Sequence, residues 1–216
     1  TVFDHAAPWF GVRVPQPATC GGLATTSDQA VANNCSYAVN GGPFKSLTAG
    51  GCEGAVIIDG AVAAAGFSST SVGFALTEGG DWVLGGVGNA SEARALGVTQ
   101  LVTGFGWLVY DGASQVPAPG GEVAPRTAVG VDADGRMLLL EVDGCEKCTA
   151  AQGQGQTLHQ LAALMASPKV RARHAINLDG GGSSTFVKDG AVVDDPTCID
   201  INLKCERRVA TIMCLR

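Results

Sequence analysis

The sequence predicts an α+β fold, mainly antiparallel sheet built from hairpins with about three helices, in one disulfide-stapled domain spanning 1–216. Three observations carry that expectation. Glycine supplies 31 of 216 residues, twice the usual ~7% share, with no three-residue period, so the chain turns often and is not collagen-like. Short apolar runs are separated by Asp-Gly and Gly-Gly pairs, which signals hairpins rather than strand–helix–strand alternation. The eight cysteines form an even set, as a disulfide framework requires. Hydrophobic residues at 46% against charged residues at 16% suffice for a packed core and exclude a disordered chain.

The elements follow in order. Pro8, Pro15 and Pro17 make the first twenty residues an extended arm or edge strand, because proline cannot donate to a sheet ladder. Ser27 near an N-cap, with Ala30 and Val31 after it, predicts a short helix over 26–34. A strand over 36–39 stops at Asn40-Gly41-Gly42-Pro43. Strands over 55–58 and 61–65 flank Asp59-Gly60, and a second pair over 72–76 and 82–84 flanks Glu78-Gly79-Gly80. Residues 91–96 form one or two helical turns, and a strand over 106–110 ends in Asp111-Gly112. Pro117–Gly121 is the best candidate for a linker. Strands over 127–132 and 136–142 turn at Asp134-Gly135. Leu158, Leu161, Ala162 and Met165 recur with helical spacing, so an amphipathic helix starts near Thr157. A strand over 175–178 precedes a glycine run, strands over 184–188 and 191–193 turn at Asp189-Gly190, and a last strand covers 209–213.

Charge and cysteine usage narrow the function classes. The net charge is −6 and no Lys/Arg run exceeds two residues, so a nucleic-acid partner, which wants a basic face, is excluded. The most apolar stretch, 54–76, contains Asp59 and many glycines, so no membrane span is expected. The chain starts at Thr1 without a basic, apolar leader, and any signal segment is expected to have been removed. Cys145-x-x-Cys148 offers one zinc-like pair, but Cys198 and Cys205 stand too far apart for a zinc ribbon. Disulfides are the better reading, with Cys145–Cys148 and Cys198–Cys205 locally plausible among many possible pairings. Sequons at Asn34-Cys35-Ser36 and Asn89-Ala90-Ser91 agree with export, so the protein is expected to be secreted or lumenal.

Three segments can carry chemistry. In Asn177-Leu178-Asp179-Gly180-Gly181-Gly182-Ser183-Ser184, successive glycine amides after a strand can form an anion-binding nest, with Ser183 and Ser184 as added donors. A Gly-rich turn capped by Asp179 is the plainer alternative. Asn40-Gly41-Gly42 reads first as a turn. Arg126-Thr127, ahead of a strand, is either a surface charge or a planar fork for phosphate or carboxylate. His174 reads as structural, and the 145–148 motif as a structural bridge because no helix follows to lower a thiol pKa.

Together these segments resemble a known family. Arg126-Thr-Ala-Val-Gly-Val-Asp132, then Gly155-Gln-Thr-Leu-His-Gln-Leu161, then Ala175-Ile-Asn-Leu-Asp-Gly-Gly-Gly-Ser-Ser-Thr-Phe186 look like the phosphodiester glycosidase family. Asn40-Gly-Gly-Pro-Phe44 is similar to that family's Asn-Gly-Gly-aromatic-Phe stretch, and the tail from Cys198 to Cys214 agrees too. Pro43 departs from the family's bulky residue. Gly51 stands where the family has an acidic residue, while Glu53 follows Cys52. The resemblance implies bridges Cys20–Cys52, Cys35–Cys214 and Cys198–Cys205, which leaves Cys145–Cys148 without a family counterpart.

The resemblance also implies a hydrolase that cleaves the C1–O bond of a sugar 1-phosphodiester, with alpha-N-acetylglucosamine on a mannose 6-phosphodiester as the expected substrate, carried on glycoprotein glycans. The leaving phosphate monoester is already a good leaving group, so charge neutralisation matters more than a strong general acid. Arg126 and the amides of Gly180, Gly181 and Gly182 suit that task. Asp179 suits the anomeric carbon, as base for water or as nucleophile. Asn40 and Asn177, with Gly41 and Gly42 beside them, are expected to hold sugar hydroxyls or the acetamido group, and Thr127, Ser183 and Ser184 to donate to phosphate. No cofactor and no metal are expected. A phosphosugar- or carbohydrate-binding module without catalysis is the alternative. A phosphodiesterase that breaks P–O ranks last, because such enzymes use clustered metal-binding carboxylates and histidines, and the sequence displays no evident cluster.

Overall fold

Three antiparallel sheets share one core, and each carries a helix on its outer side. The computed structural model describes residues 1–15, 20–117 and 121–216. The first sheet runs Val2–Phe3, Met137–Val142, Arg126–Asp132, Ala172–Asn177, Gly106–Tyr110, Ala113–Ser114. The second runs Ala61–Ala65, Ala55–Ile58, Val98–Thr103, Ser68–Thr77, Trp82–Val87. The third runs Ala191–Val192, Phe186–Lys188, Tyr37–Asn40, Ile212–Leu215, Phe10–Arg13. A small hairpin pairs Phe44–Ser46 with Gly50–Cys52.

Strand alternation feeds both faces of these sheets. Met213 and Leu215 enter the common core, whereas Ile212 and Cys214 pack outward with Ala30 of helix α1 (Thr26–Ala32). Val102 points inward and Leu101 outward, toward Ala93 of α2 (Ala90–Ala95). Val129 and Ile176 point inward, and Ala128 and Ala175 outward, where Leu161, Ala162 and Met165 of α3 (Leu158–Ala166) cover them. Burial on both faces explains why these strands read as apolar runs without polar alternation.

The α+β expectation holds, with three α-helices among the described residues and four bridges: Cys20–Cys52, Cys35–Cys214, Cys145–Cys148 and Cys198–Cys205. The hairpins at Asp59-Gly60 and Asp189-Gly190 form, with positive φ at both turn residues (48° and 81°, 50° and 78°), a backbone that Asp and Gly tolerate. Helix α3 starts as read, because Thr157 and Gln160 close a reciprocal capping box.

Other expectations shift. Thr25, not Ser27, caps α1 by accepting from the Asp28 amide, because the Ser27 hydroxyl is engaged by Glu206. The last strand is Ile212–Leu215 rather than 209–213, since Val209 makes only an isolated bridge to Ala24. The strand before Asp189 begins at Phe186, because Gly181–Ser183 form a 3₁₀ turn. Val98–Thr103, unassigned from sequence, is the central strand of the second sheet. Its polar Gln100 is buried, accepting from Val12 N at 2.9 Å and donating to Asp59 Oδ1 at 2.6 Å. Pro117–Gly121 does not separate domains: strands on either side of it belong to one sheet, both paired with Ala172–Asn177. Residues 118–120, like Pro17, lie outside the described residues.

Candidate active site

Asp179 stands where the first and third sheets meet. Beyond strand Ala172–Asn177, Leu178 N donates to Thr127 O at 2.9 Å and Asp179 N donates to Gly41 O at 3.1 Å. The backbone thus crosses from one sheet to the other at this residue. Asn40 locks the crossing. Its Nδ2 donates to Asp179 O at 2.7 Å, and its Oδ1 accepts from Thr127 Oγ1 at 2.7 Å and Thr185 N at 3.2 Å. Asn40 and Thr127 are both 0% exposed. Neither side chain reaches solvent, and both fix the backbone that carries Asp179.

Gly41 and Gly42 serve the same crossing. Their amides donate to Thr211 O at 2.8 Å and Thr211 Oγ1 at 3.1 Å. A Cβ on Gly41 would lie 2.3 Å from Thr211 Oγ1, and one on Gly42 would lie 2.2 Å from Thr103 O. Both positions therefore need glycine for close approach.

The glycine run departs from an open anion nest. Gly181 N donates to Pro125 O at 2.9 Å, Ser183 N to Gly180 O and Ser184 N to Gly181 O, both at 3.1 Å. Gly182 N does meet an anion, but it is the Asp200 carboxylate, at 2.7 Å. The 3₁₀ turn has closed these amides on protein acceptors. What remains is a set of buried side-chain oxygens without hydrogen-bond partners: Asn177 Oδ1, Ser183 Oγ, Ser184 Oγ and Thr185 Oγ1.

Two guanidiniums flank the turn. Arg126 is partly buried and spends Nε on Gln156 O at 3.1 Å and Nη2 on Glu122 O at 2.6 Å. Burial lowers its pKa while Glu122 and Glu146 raise it, and an arginine stays charged throughout. Arg207, not selected from sequence, donates to Cys198 O at 2.9 Å and to Asp200 Oδ2 at 2.8 Å. Its Nη2 would lie 2.4 Å from a Cβ on Gly182, so the guanidinium packs directly on the glycine backbone. The Cys198–Cys205 bridge holds the segment that presents it. The signal available in the sequence was the Arg207-Arg208 pair two residues past Cys205, which reads equally as surface charge.

Carboxyls complete the cluster. Desolvation raises Asp179 to about 6, against the Ser183 hydroxyl, the Gly180 amide and Arg207, which favour the anion, and with Glu53 adding repulsion. Asp179 remains partly exposed, and the Ser183 hydroxyl lacks a hydrogen bond of ordinary geometry; crowding by protein rather than full enclosure makes the shift. Glu146, carried by the Cys145–Cys148 loop, lies against Gly181, where a Cβ would be 2.3 Å from its Oε1. Burial, then Asp200 and Glu122, raise its pKa. Gly51 sits at φ 88°, which explains glycine at a position where an acidic side chain would be strained. Glu53 is exposed, and its charge disfavours ionisation of Asp179. His174 acts structurally, accepting from Asp111 N at 3.3 Å and packing with Trp107 and Tyr110. Two roomy clefts of about 740 and 670 Å³ lie elsewhere, lined by residues such as Asp132 and Arg136, and Trp9 and Glu78. The convergence of charge and orphaned oxygens, rather than cavity size, singles out Asp179.

A strand-end carboxyl set among arginines on a three-sheet scaffold is the architecture against which similarity can be judged. The chain belongs to the phosphodiester glycosidase family, whose model matches residues 33–216. It is 31% identical to mouse N-acetylglucosamine-1-phosphodiester alpha-N-acetylglucosaminidase across 97% of this chain and 44% of that protein. The chain therefore spans less than half the length of that relative. The catalytic domain of the zebrafish N-acetylglucosamine-1-phosphodiester alpha-N-acetylglucosaminidase superposes with a TM-score of 0.85 at 26% identity, covering 97% of this chain and 73% of that one. A hypothetical protein from Synechocystis shares the fold alone, with a TM-score of 0.69 at 13% identity over 100% of this chain and 58% of its own.

Proposed function

We propose that residues 1–216 form a catalytic domain that hydrolyses the C1–O bond of a sugar 1-phosphodiester, with alpha-linked N-acetylglucosamine on a mannose 6-phosphodiester as substrate. Family membership and the printed activity of the relatives support the class. The observation that carries the reading is Asp179: a carboxyl at about 6, at a strand end, within the field of Arg207 and one loop from Arg126.

In this reading water attacks C1, its oxygen stays on the sugar, and the C1–O pair leaves with the phosphate monoester. Asp179 acts at C1, as base or as nucleophile. Arg126 and Arg207 neutralise the departing phosphate, the part of the barrier that fixed charges lower most. Asn177 Oδ1 and the Ser183 and Ser184 hydroxyls, buried without protein partners, are the groups a sugar or phosphate would satisfy. Asn40, Thr127, Gly41 and Gly42 hold the frame.

Four disulfides fit an oxidising compartment. No helix among the described residues is long and apolar enough to cross a membrane. Asn34 and Asn89 of the two sequons are exposed. A secretory-pathway setting, with glycoprotein glycans as substrate carriers, belongs to the same proposal. The test is hydrolysis of N-acetylglucosamine-alpha-1-phospho-6-mannoside in ¹⁸O water. Labelled free N-acetylglucosamine is expected. Label in phosphate, or release of N-acetylglucosamine 1-phosphate, overturns the C1–O reading, and binding without turnover returns the chain to a phosphosugar-binding module.

A further inference from the structure

The fold assembles a carboxylate group that the sequence does not display. Glu141 is the penultimate residue of strand Met137–Val142, Asp143 follows that strand, and Asp194 lies just beyond the hairpin of Phe186–Lys188 and Ala191–Val192. One carboxylate oxygen from each lies within 4.8 Å of the others. The reason the sequence does not display the group is separation: the strand of Glu141 and the hairpin before Asp194 belong to different sheets.

Three carboxyls this close need a counter-charge to ionise together. Asp194 is 8% exposed, and while its Oδ2 accepts from Phe186 N at 2.8 Å, its Oδ1 is buried with no partner. Glu141 Oε1 is likewise buried and unpartnered. Asp143 Oδ1 accepts from Asp195 N at 2.7 Å. The neighbouring cations are engaged elsewhere. Lys204 Nζ donates to Asp194 O at 2.8 Å and Asp195 Oδ1 at 2.6 Å. Lys188 Nζ stands 5.8 Å over the Tyr37 ring, and the Thr1 ammonium donates to Leu139 O at 2.8 Å. Burial, then repulsion from Asp194 and Asp143, pushes Glu141 up to about 9 when no cation is bound.

We propose that Glu141, Asp143 and Asp194 bind a calcium ion that ties the first sheet to the third. Two oxygens on one calcium ion, each at ~2.3–2.6 Å, sit at most about 5 Å apart, so the observed spacing suits the ion. Oxygen-only ligands select a hard cation over zinc. An open cleft of about 420 Å³, lined by Glu141, Asp143 and Asp194 with Tyr37 and Lys188, gives the ion access and leaves room for waters to complete its shell. The ion would stand one strand from the catalytic frame, because Glu141 pairs with Thr127 in the ladder. Its role is structural and independent of the proposed hydrolysis.

The experiment titrates calcium chloride into chelator-treated full chain, read by calorimetry and by thermal unfolding, with magnesium chloride in parallel. One calcium per chain is expected with a Kd on the order of 10⁻⁵–10⁻³ M. Tm should rise by roughly 5 °C at a hundredfold excess over Kd. Glu141→Gln should weaken binding at least tenfold and abolish the Tm response; Asp143→Asn, at an exposed position, repeats the test without disturbing the core. No heat and no Tm change up to ~10 mM calcium overturns the site. Unchanged binding in both variants, or binding of magnesium but not calcium, overturns it equally.

Discussion

Asp179 is an acid whose fold disfavours its charge. Its carboxyl titrates at about 6 in the native chain, against 3.8 as its ordinary value. The native state therefore holds the proton between those values and the unfolded state does not. Stability from this group is full below about pH 4, is lost as pH rises through 6, and is absent above it, an effect on the order of 3 kcal/mol. Asp179→Asn should raise Tm at pH 7.5 relative to wild type and leave it unchanged at pH 4; a pH-independent difference would remove the shift. The same variant should lose most of kcat while still binding substrate, and wild-type turnover should climb as pH passes through 6, since base or nucleophile must be ionised. Arg207 makes a second residue-level case. Arg207→Ala should lower kcat/KM by ~10²-fold. Arg207→Lys should recover only part of that, because one ammonium nitrogen cannot reproduce the planar fork that sends Nε to Cys198 O and Nη2 to Asp200 Oδ2. Full activity in the alanine variant would place Arg207 outside the site.

At the scale of elements, the site depends on places where backbone touches backbone. Gly42 abuts Thr103 O of the second sheet while its neighbour Gly41 accepts from Asp179 N. Gly42→Ala should destabilise by roughly 1–3 kcal/mol in urea unfolding and reduce activity as well, because the strained strand end carries Asp179. Gly106→Ala is the control: it lies in a strand with nothing within 4 Å of the added carbon and should be near neutral. Equal losses in the two variants would mean that close approach to Thr103 O is not what requires glycine at 42.

Across the whole molecule, the bridges differ in what they constrain. Cys35–Cys214 closes a sequence separation of 179 and Cys145–Cys148 one of only 3. Chain entropy assigns roughly 5 kcal/mol to the first and roughly 2 to the second. Replacing Cys35 and Cys214 by alanine should therefore lower Tm far more than replacing Cys145 and Cys148. The short bridge should register in catalysis instead, because it presents Glu146 to Gly181. A larger Tm loss from the 145–148 pair would contradict this division.

The sequence by itself determined the fold class, the Asp-Gly hairpins, the start of α3 and the Asp179 segment, because turn chemistry, capping and glycine runs are local and act within a few residues. It also marked Arg126 and Asn40, but not what they do. Only the tertiary structure decided that Asn40 and Thr127 are buried frame, that Asp200 occupies the Gly182 amide, and that Arg207 and Glu146 reach the glycine turn. The same holds for the Glu141, Asp143 and Asp194 group, and for Val98–Thr103 as a central strand despite its polar residues. Each of these is a contact between segments far apart in the chain. Such contacts depend on how three sheets pack around one core, and no local pattern of residues encodes that packing.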